Sequence, residues 1–243
     1  MPRKPLPPDV LWLPGWGSPP ALWRGLQDAL PGWTHRHVDF SAVRHPREFA
    51  TAVAAALPER AIVVGWSLGG QLALAAAREW PERVAAVVAI GTSLRFTHDD
   101  PALGWAPRIL ARMQRRLADA PLATLAAFAA ACFTPAEQAA GRAASYVAAM
   151  CPGEALPAGW PLPALQAGLE HLAQTDLTAL PEALAPPLLW LHGAADPICP
   201  PAAWDPLRRR LAHHRWLLVP EAGHALPWTH PAAIAAAMRE FSA

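Results

Sequence analysis

The chain has 243 residues, 53% of them hydrophobic, and a formal net charge of +1. That is enough apolar material for one α/β domain with an insertion, and it excludes a disordered chain. So small a charge gives the molecule as a whole no strong pull on nucleic acid or on an anionic membrane.

The N-terminal segment Met1-Pro2-Arg3-Lys4-Pro5 runs into prolines, with no apolar stretch and cleavage site of an export signal. A cytoplasmic protein is the expectation. Asp9-Val10-Leu11-Trp12-Leu13 reads as a first strand, followed by the loop Pro14-Gly15-Trp16-Gly17. A strand over 35–39 and a helix over about 46–57 come next. The apolar run Ala61-Ile62-Val63-Val64 then leads into Gly65-Trp66-Ser67-Leu68-Gly69-Gly70 and an Ala-rich helix over about 68–79. A serine with glycine two positions to either side, between a strand and a helix, fits a nucleophile elbow. Side chains at 65 and 69 would meet neighbouring backbone, so glycine is required at both. The bland alternative is a serine in a glycine-rich turn.

A strand over 84–90 is followed by residues 93–184, where no strand is convincing. Ala-rich helical patterns there are broken by prolines, Pro101, Pro121, Pro135 and Pro152 among them. This segment reads as a helical cap inserted into the fold, with 1–92 and 185–243 as the core. Arg108, Arg112, Arg115 and Arg116 recur at helical spacing in it. They are either a solvated helix face or a docking patch for an acidic partner. Leu125, Phe128 and Phe133 are candidates for an acyl pocket or for helix-to-helix packing. Cys132, Cys151 and Cys199 are scattered, with no CxxC pair and no metal spacing, so reduced thiols are expected. The longest uncharged stretch, 120–136, is too short and too weakly apolar to span a bilayer.

The strand Leu188-Leu189-Trp190-Leu191-His192 delivers Asp196 just before Pro197, and a helix over about 201–212 follows. The strand over 215–219 delivers His224 just after Gly223, and a helix over 231–242 ends the chain. A serine hydroxyl is a weak nucleophile that needs a base, and the base needs an acid to orient it. Ser67, Asp196 and His224 supply the three in the chain order Ser, acid, His, each past a strand. Rivals fit less well. Ser93 lacks the glycine spacing, His192 falls inside or at the end of its strand, His230 begins the last helix, and Asp176 follows a helical segment. Acyl transfer also needs N–H donors for the oxyanion. The backbone N–H groups of Leu68 and Trp16 are the candidates. No metal or organic cofactor is expected.

Strands alternating with helices imply a mostly parallel sheet flanked by helices. The elbow, the Pro-Gly-Trp-Gly loop, the segment Gly168-Leu169-Glu170-His171-Leu172 leading to Thr175-Asp176-Leu177, and the loops of Asp196 and His224 resemble the α/β-hydrolase superfamily. More narrowly they resemble its biotin-pathway carboxylesterases. That resemblance implies an α/β-hydrolase fold and hydrolysis of the methyl ester of a pimeloyl chain on acyl carrier protein. It implies Ser67 as nucleophile, His224 as base and then acid, and Asp196 as orienter. It also puts Phe128 and Cys132 where a cap meets the acyl chain. The usual His of the first loop is Pro14 here. The cap arginines that contact carrier protein in that family have no counterpart in 120–131, and Arg142 with the 108–116 stripe would substitute. On the residues alone, a short-chain esterase, lactonase or C–C bond hydrolase remains open, as does a non-catalytic binding module of the same fold.

Overall fold

The computed structural model describes residues 9–150, 153, 155–180 and 184–242. The expectations for the N-terminal proline segment, Cys151 and Pro152 lie outside the described residues. Six strands form one parallel sheet: β1 (Asp9–Leu13), β2 (Thr34–His37), β3 (Ala61–Trp66), β4 (Val84–Ile90), β5 (Leu188–Gly193) and β6 (Arg215–Val219). Their order is β2-β1-β3-β4-β5-β6. The expected α/β-hydrolase architecture is therefore observed.

The central strands β3 and β4 are buried along their whole length. Their unbroken runs of Val, Ile and Ala suit a parallel strand covered on both faces. The edge strand β2, Thr-His-Arg-His, is mostly exposed. Covering helices are α1 (Arg24–Ala29), α2 (Glu48–Ala56) and α3 (Leu68–Glu79) before the middle of the chain. After β5 come α9 (Asp205–Arg210), α10 (Leu226–Thr229) and α11 (Pro231–Ser242).

Between β4 and β5 lie α4 (Pro107–Asp119), α5 (Pro121–Ala131), α6 (Pro135–Ala139), α7 (Arg142–Met150) and α8 (Leu162–Gln174). Proline stands in the first turn of α4, α5, α6 and α8. There its missing N–H costs nothing and its fixed φ favours the helix. Pro121 and Pro135, which break the pattern in sequence, are thus helix starts, whereas Pro101 lies in a turn. Among the described residues of 93–184 the only β pairing is two isolated bridges, Arg95 with Asp176 and Thr97 with Trp105.

Three details differ from expectation. The helix expected over 201–212 is a 3-10 turn, Pro201–Trp204, followed by α9. Neither α1 nor α10 was anticipated. Both are short, and α10 carries proline within four residues, so they give little periodic signal. No helix among the described residues is long and apolar enough to cross a membrane.

Candidate active site

Ser67 stands between β3 and α3 with φ 55° and ψ −118°. Only one other described non-glycine residue has positive φ, Glu221 at 59°, on the loop that leads to His224. A left-handed conformation is costly for a residue with a side chain, and surrounding structure must enforce it. Sterics of the turn do so here. A Cβ on Gly65 would strike the Gly69 carbonyl, and one on Gly69 would strike the Leu13 carbonyl. The Ser67 N–H donates to Ile90 O at 2.9 Å, and the Thr92 hydroxyl donates to Ser67 O at 3.2 Å. A Cβ on Gly70 would collide with that same Thr92 hydroxyl. The turn therefore has one available shape.

Asp196 and His224, 28 positions apart, meet: His224 Nδ1 donates to Asp196 Oδ2 at 2.8 Å. Both side chains are fully buried. Their loops touch backbone to backbone, since a Cβ on Gly193 would overlap the carbonyls of Ala222 and Gly223. Asp196 Oδ1 accepts from the N–H groups of Ile198 and Cys199, each at 2.8 Å. Burial opposes the charged carboxylate. The charge of His224 and hydrogen bonds from His192 and His224 outweigh that, and hold the carboxyl well below its ordinary value. A permanent carboxylate beside Nδ1 fixes the proton there and leaves Nε2 as the acceptor. The imidazole lies against the Trp66 indole, 5.3 Å between ring centres, one residue before Ser67. Trp66 Nε1 donates to His224 O at 2.9 Å. His224 Nε2 is buried and makes no hydrogen bond to Ser67 Oγ or to any other group among the described residues.

The helices between β4 and β5 help to hold His224. The His224 N–H donates to Cys132 O at 2.8 Å, and the Gly223 N–H donates to Glu137 Oε1 at 3.3 Å. Glu137 closes a capping box with Thr134 at the start of α6. The Thr134–Glu137 spacing signals the box in sequence. Nothing in sequence signals its reach to Gly223. Cys132 is buried, its thiol donates to Phe128 O at 3.4 Å, and desolvation pushes the thiol well above its ordinary value.

No acceptor faces the N–H of Leu68 or of Trp16 among the described residues. The first of these opens α3, where N–H groups have no intrahelical partner. The Trp16 side chain points towards α8, with Nε1 donating to Leu165 O at 2.8 Å. Gly168 of α8 makes room for it, since a Cβ there would come 2.6 Å from the indole. Phe128 stands edge-on to Trp16 at 5.3 Å and to Trp105 at 6.0 Å. Beyond it lies a cavity of ≈ 360 Å³ between α4 and α5, lined by Trp105, Ile109, Met113 and Phe128, with Arg112 and Arg116 also on its wall. Arg108, Arg112, Arg115 and Arg116 are exposed on α4. Arg142 is exposed as well, and donates to Thr229 O at 3.0 Å.

The rivals lie elsewhere. Asp176 is about half exposed and pairs with Arg95 at 3.9 Å. His230 follows α10 with Nδ1 bonded to Thr229 at 2.8 Å. Ser93 is buried, its carbonyl accepting from Gln71 at 2.9 Å. His192 is in β5, but it also touches Asp196, a contact that the sequence reading missed. The signal was its position four residues before the acid. Among the described residues no group of three His, Cys, Asp or Glu side chains is arranged to hold a metal ion.

The α/β hydrolase fold family matches residues 10–231. A pimeloyl-[acyl-carrier protein] methyl ester esterase of Aromatoleum aromaticum is 34% identical over 92% of this chain and 94% of that protein. One of the same description from Nitrosomonas europaea is 32% identical over 90% and 89%. Among solved structures, the enol-lactonase of Burkholderia xenovorans superposes with TM-score 0.81 at 17% identity, over 98% of this chain and 92% of that one. A thermophilic esterase of Thermogutta terrifontis superposes with TM-score 0.77 at 20% identity, over 98% and 90%. At such identities these two superpositions speak for the fold alone.

Proposed function

The chain belongs to the α/β-hydrolase family and is a carboxylic ester hydrolase of it, and from that premise we propose that its substrate is the methyl ester of a pimeloyl chain carried by acyl carrier protein. The observation that carries this reading is the 34% identity to an esterase of that description over nearly the whole of both chains.

In the proposed mechanism His224 Nε2 takes the proton from Ser67 Oγ as that oxygen attacks the ester carbonyl. The Leu68 and Trp16 N–H groups stabilise the oxyanion, a contribution of about 10²–10³ in rate per donor in a comparable site. The intermediate collapses, His224 returns the proton to the methoxide, and methanol leaves. Water then attacks the acyl-serine with the same histidine as base, and the free carboxylic acid departs. Asp196 keeps His224 in the Nδ1–H form and stabilises its transient charge.

In the same reading the helices of 93–184 form a cap over the core. Phe128 and Cys132 border the acyl path, which continues along the cavity between α4 and α5. Arg108, Arg112, Arg115, Arg116 and Arg142 face the acidic carrier protein, and the setting is the cytoplasm. Fluorophosphonate labels the native protein and fails on Ser67→Ala, whose kcat falls on the order of 10⁶-fold. Labelling that survives the substitution overturns the nucleophile assignment. Growth without biotin, restored in a strain lacking its own esterase, tests the substrate. Soluble, active protein that fails to restore growth overturns it.

A further inference from the structure

His192 has no part in that mechanism, yet its ring reaches the same carboxylate oxygen as His224. Its Nε2 lies 3.1 Å from Asp196 Oδ2 and 2.7 Å from Cys199 O. Both neighbours only accept, so Nε2 must carry the proton. Nδ1 is buried with no partner among the described residues, so a second proton there would have no acceptor. His192 thus presents one N–H, at Nε2, shared between a carbonyl and the carboxylate. Trp204 stands edge-on to the ring at 4.3 Å and fixes its plane. Oδ1 is already occupied by two backbone N–H groups, which leaves Oδ2 to serve both histidines.

We propose that His192 is a positioning residue of this site: its Nε2–H pins the Asp196 carboxylate through Oδ2 and moderates how strongly that oxygen holds His224. The proposal rests on the reading of Asp196 and His224 as acid and base, not on the identity of the ester. Two donors on one oxygen divide its charge. Without His192, Oδ2 faces His224 alone and favours its protonated form, in which it cannot act as base. The other titratable groups around the pair are Cys199 beside Asp196, Cys132 behind His224, and Glu137 on the Gly223 N–H. Burial raises both thiols well above their ordinary value, which keeps them neutral. Glu137 is left unchanged in each His192 variant used below.

The test uses the whole chain and p-nitrophenyl acetate as probe. His192→Leu removes the donor at similar volume. His192→Gln restores an N–H near the place of Nε2. In His192→Leu, kcat falls about ten- to a hundredfold, the range seen when a residue that orients a functional group is lost. The acidic limb of its kcat/KM–pH profile moves to higher pH. In His192→Gln, the limb returns to the wild-type position and kcat to within about threefold. Should the leucine variant not fold, His192→Asn takes its place, because its amide is too short to reach Oδ2. A leucine or asparagine profile whose limb stays put or moves down overturns the proposal. So does a glutamine variant that behaves like leucine. Failure of the underlying reading has a separate signature, since esterase activity and labelling would then persist in Ser67→Ala.

Discussion

Ser67 and His224 reach the site by opposite means. Ser67 is fixed from within, by clashes and hydrogen bonds of a short turn between adjacent elements, with glycine at 65, 69 and 70 as the only residue that fits. His224 is fixed from outside. Its ring is held by Asp196, its carbonyl by Trp66, and its N–H by Cys132 at the end of α5. The turn is a local steric necessity. The histidine loop is a junction of four segments, and each of them can be loosened separately.

The largest effect expected from loosening that junction is on Asp196. Asp196→Asn keeps the shape but no longer favours the Nδ1–H tautomer, and kcat on p-nitrophenyl acetate falls about 10⁴-fold. A fall under tenfold would mean that Nδ1 is governed by something else. Glu137→Ala releases the Gly223 N–H and also opens the capping box with Thr134; the lost hydrogen bond to the histidine loop, about 1–1.5 kcal/mol, predicts roughly a tenfold lower kcat. Glu137→Gln keeps an acceptor and stays within a few-fold of wild type. Equal kcat for all three proteins would make the link to the insertion irrelevant to catalysis.

The last effect is on stability rather than rate and concerns how α8 sits against α2. His171 of α8 packs edge-on to Phe49 of α2, and desolvation lowers its pKa from the ordinary 6.5 to about 4. Between those values the unfolded chain binds the proton and the folded one does not. Stability is therefore complete above pH 6.5 and drains as pH falls towards 4, by about 3 kcal/mol in all. Urea midpoints at pH 7.5 and 4.5 should converge in His171→Leu relative to wild type. Parallel declines in the two proteins would show that the histidine is not what loosens α8.

The same contrast explains what the sequence made legible. Strands β1, β3, β4, β5 and β6 announce themselves as apolar runs of strand length, and the start of α3 follows from the glycines of the turn. The loops of Asp196 and His224 are recognisable because each follows such a run. What brings the two loops together is not local. Gly193 reads as an ordinary turn glycine until Ala222 and Gly223 are seen pressing on it. Glu137 and Cys132 give no sign in sequence that their carboxylate oxygen and backbone carbonyl accept from the histidine loop 86 and 92 positions away. His192 looked like strand filling because its partner is shared with His224, and sharing is a property of three dimensions.

The order of the parts along the chain has its own consequence. The serine turn is finished by residue 70, whereas the imidazole belongs to a loop that closes only after β6 has been laid beside β5. In the proposed mechanism, therefore, the serine is made long before its base, and the two can work together only once β6 has docked beside β5.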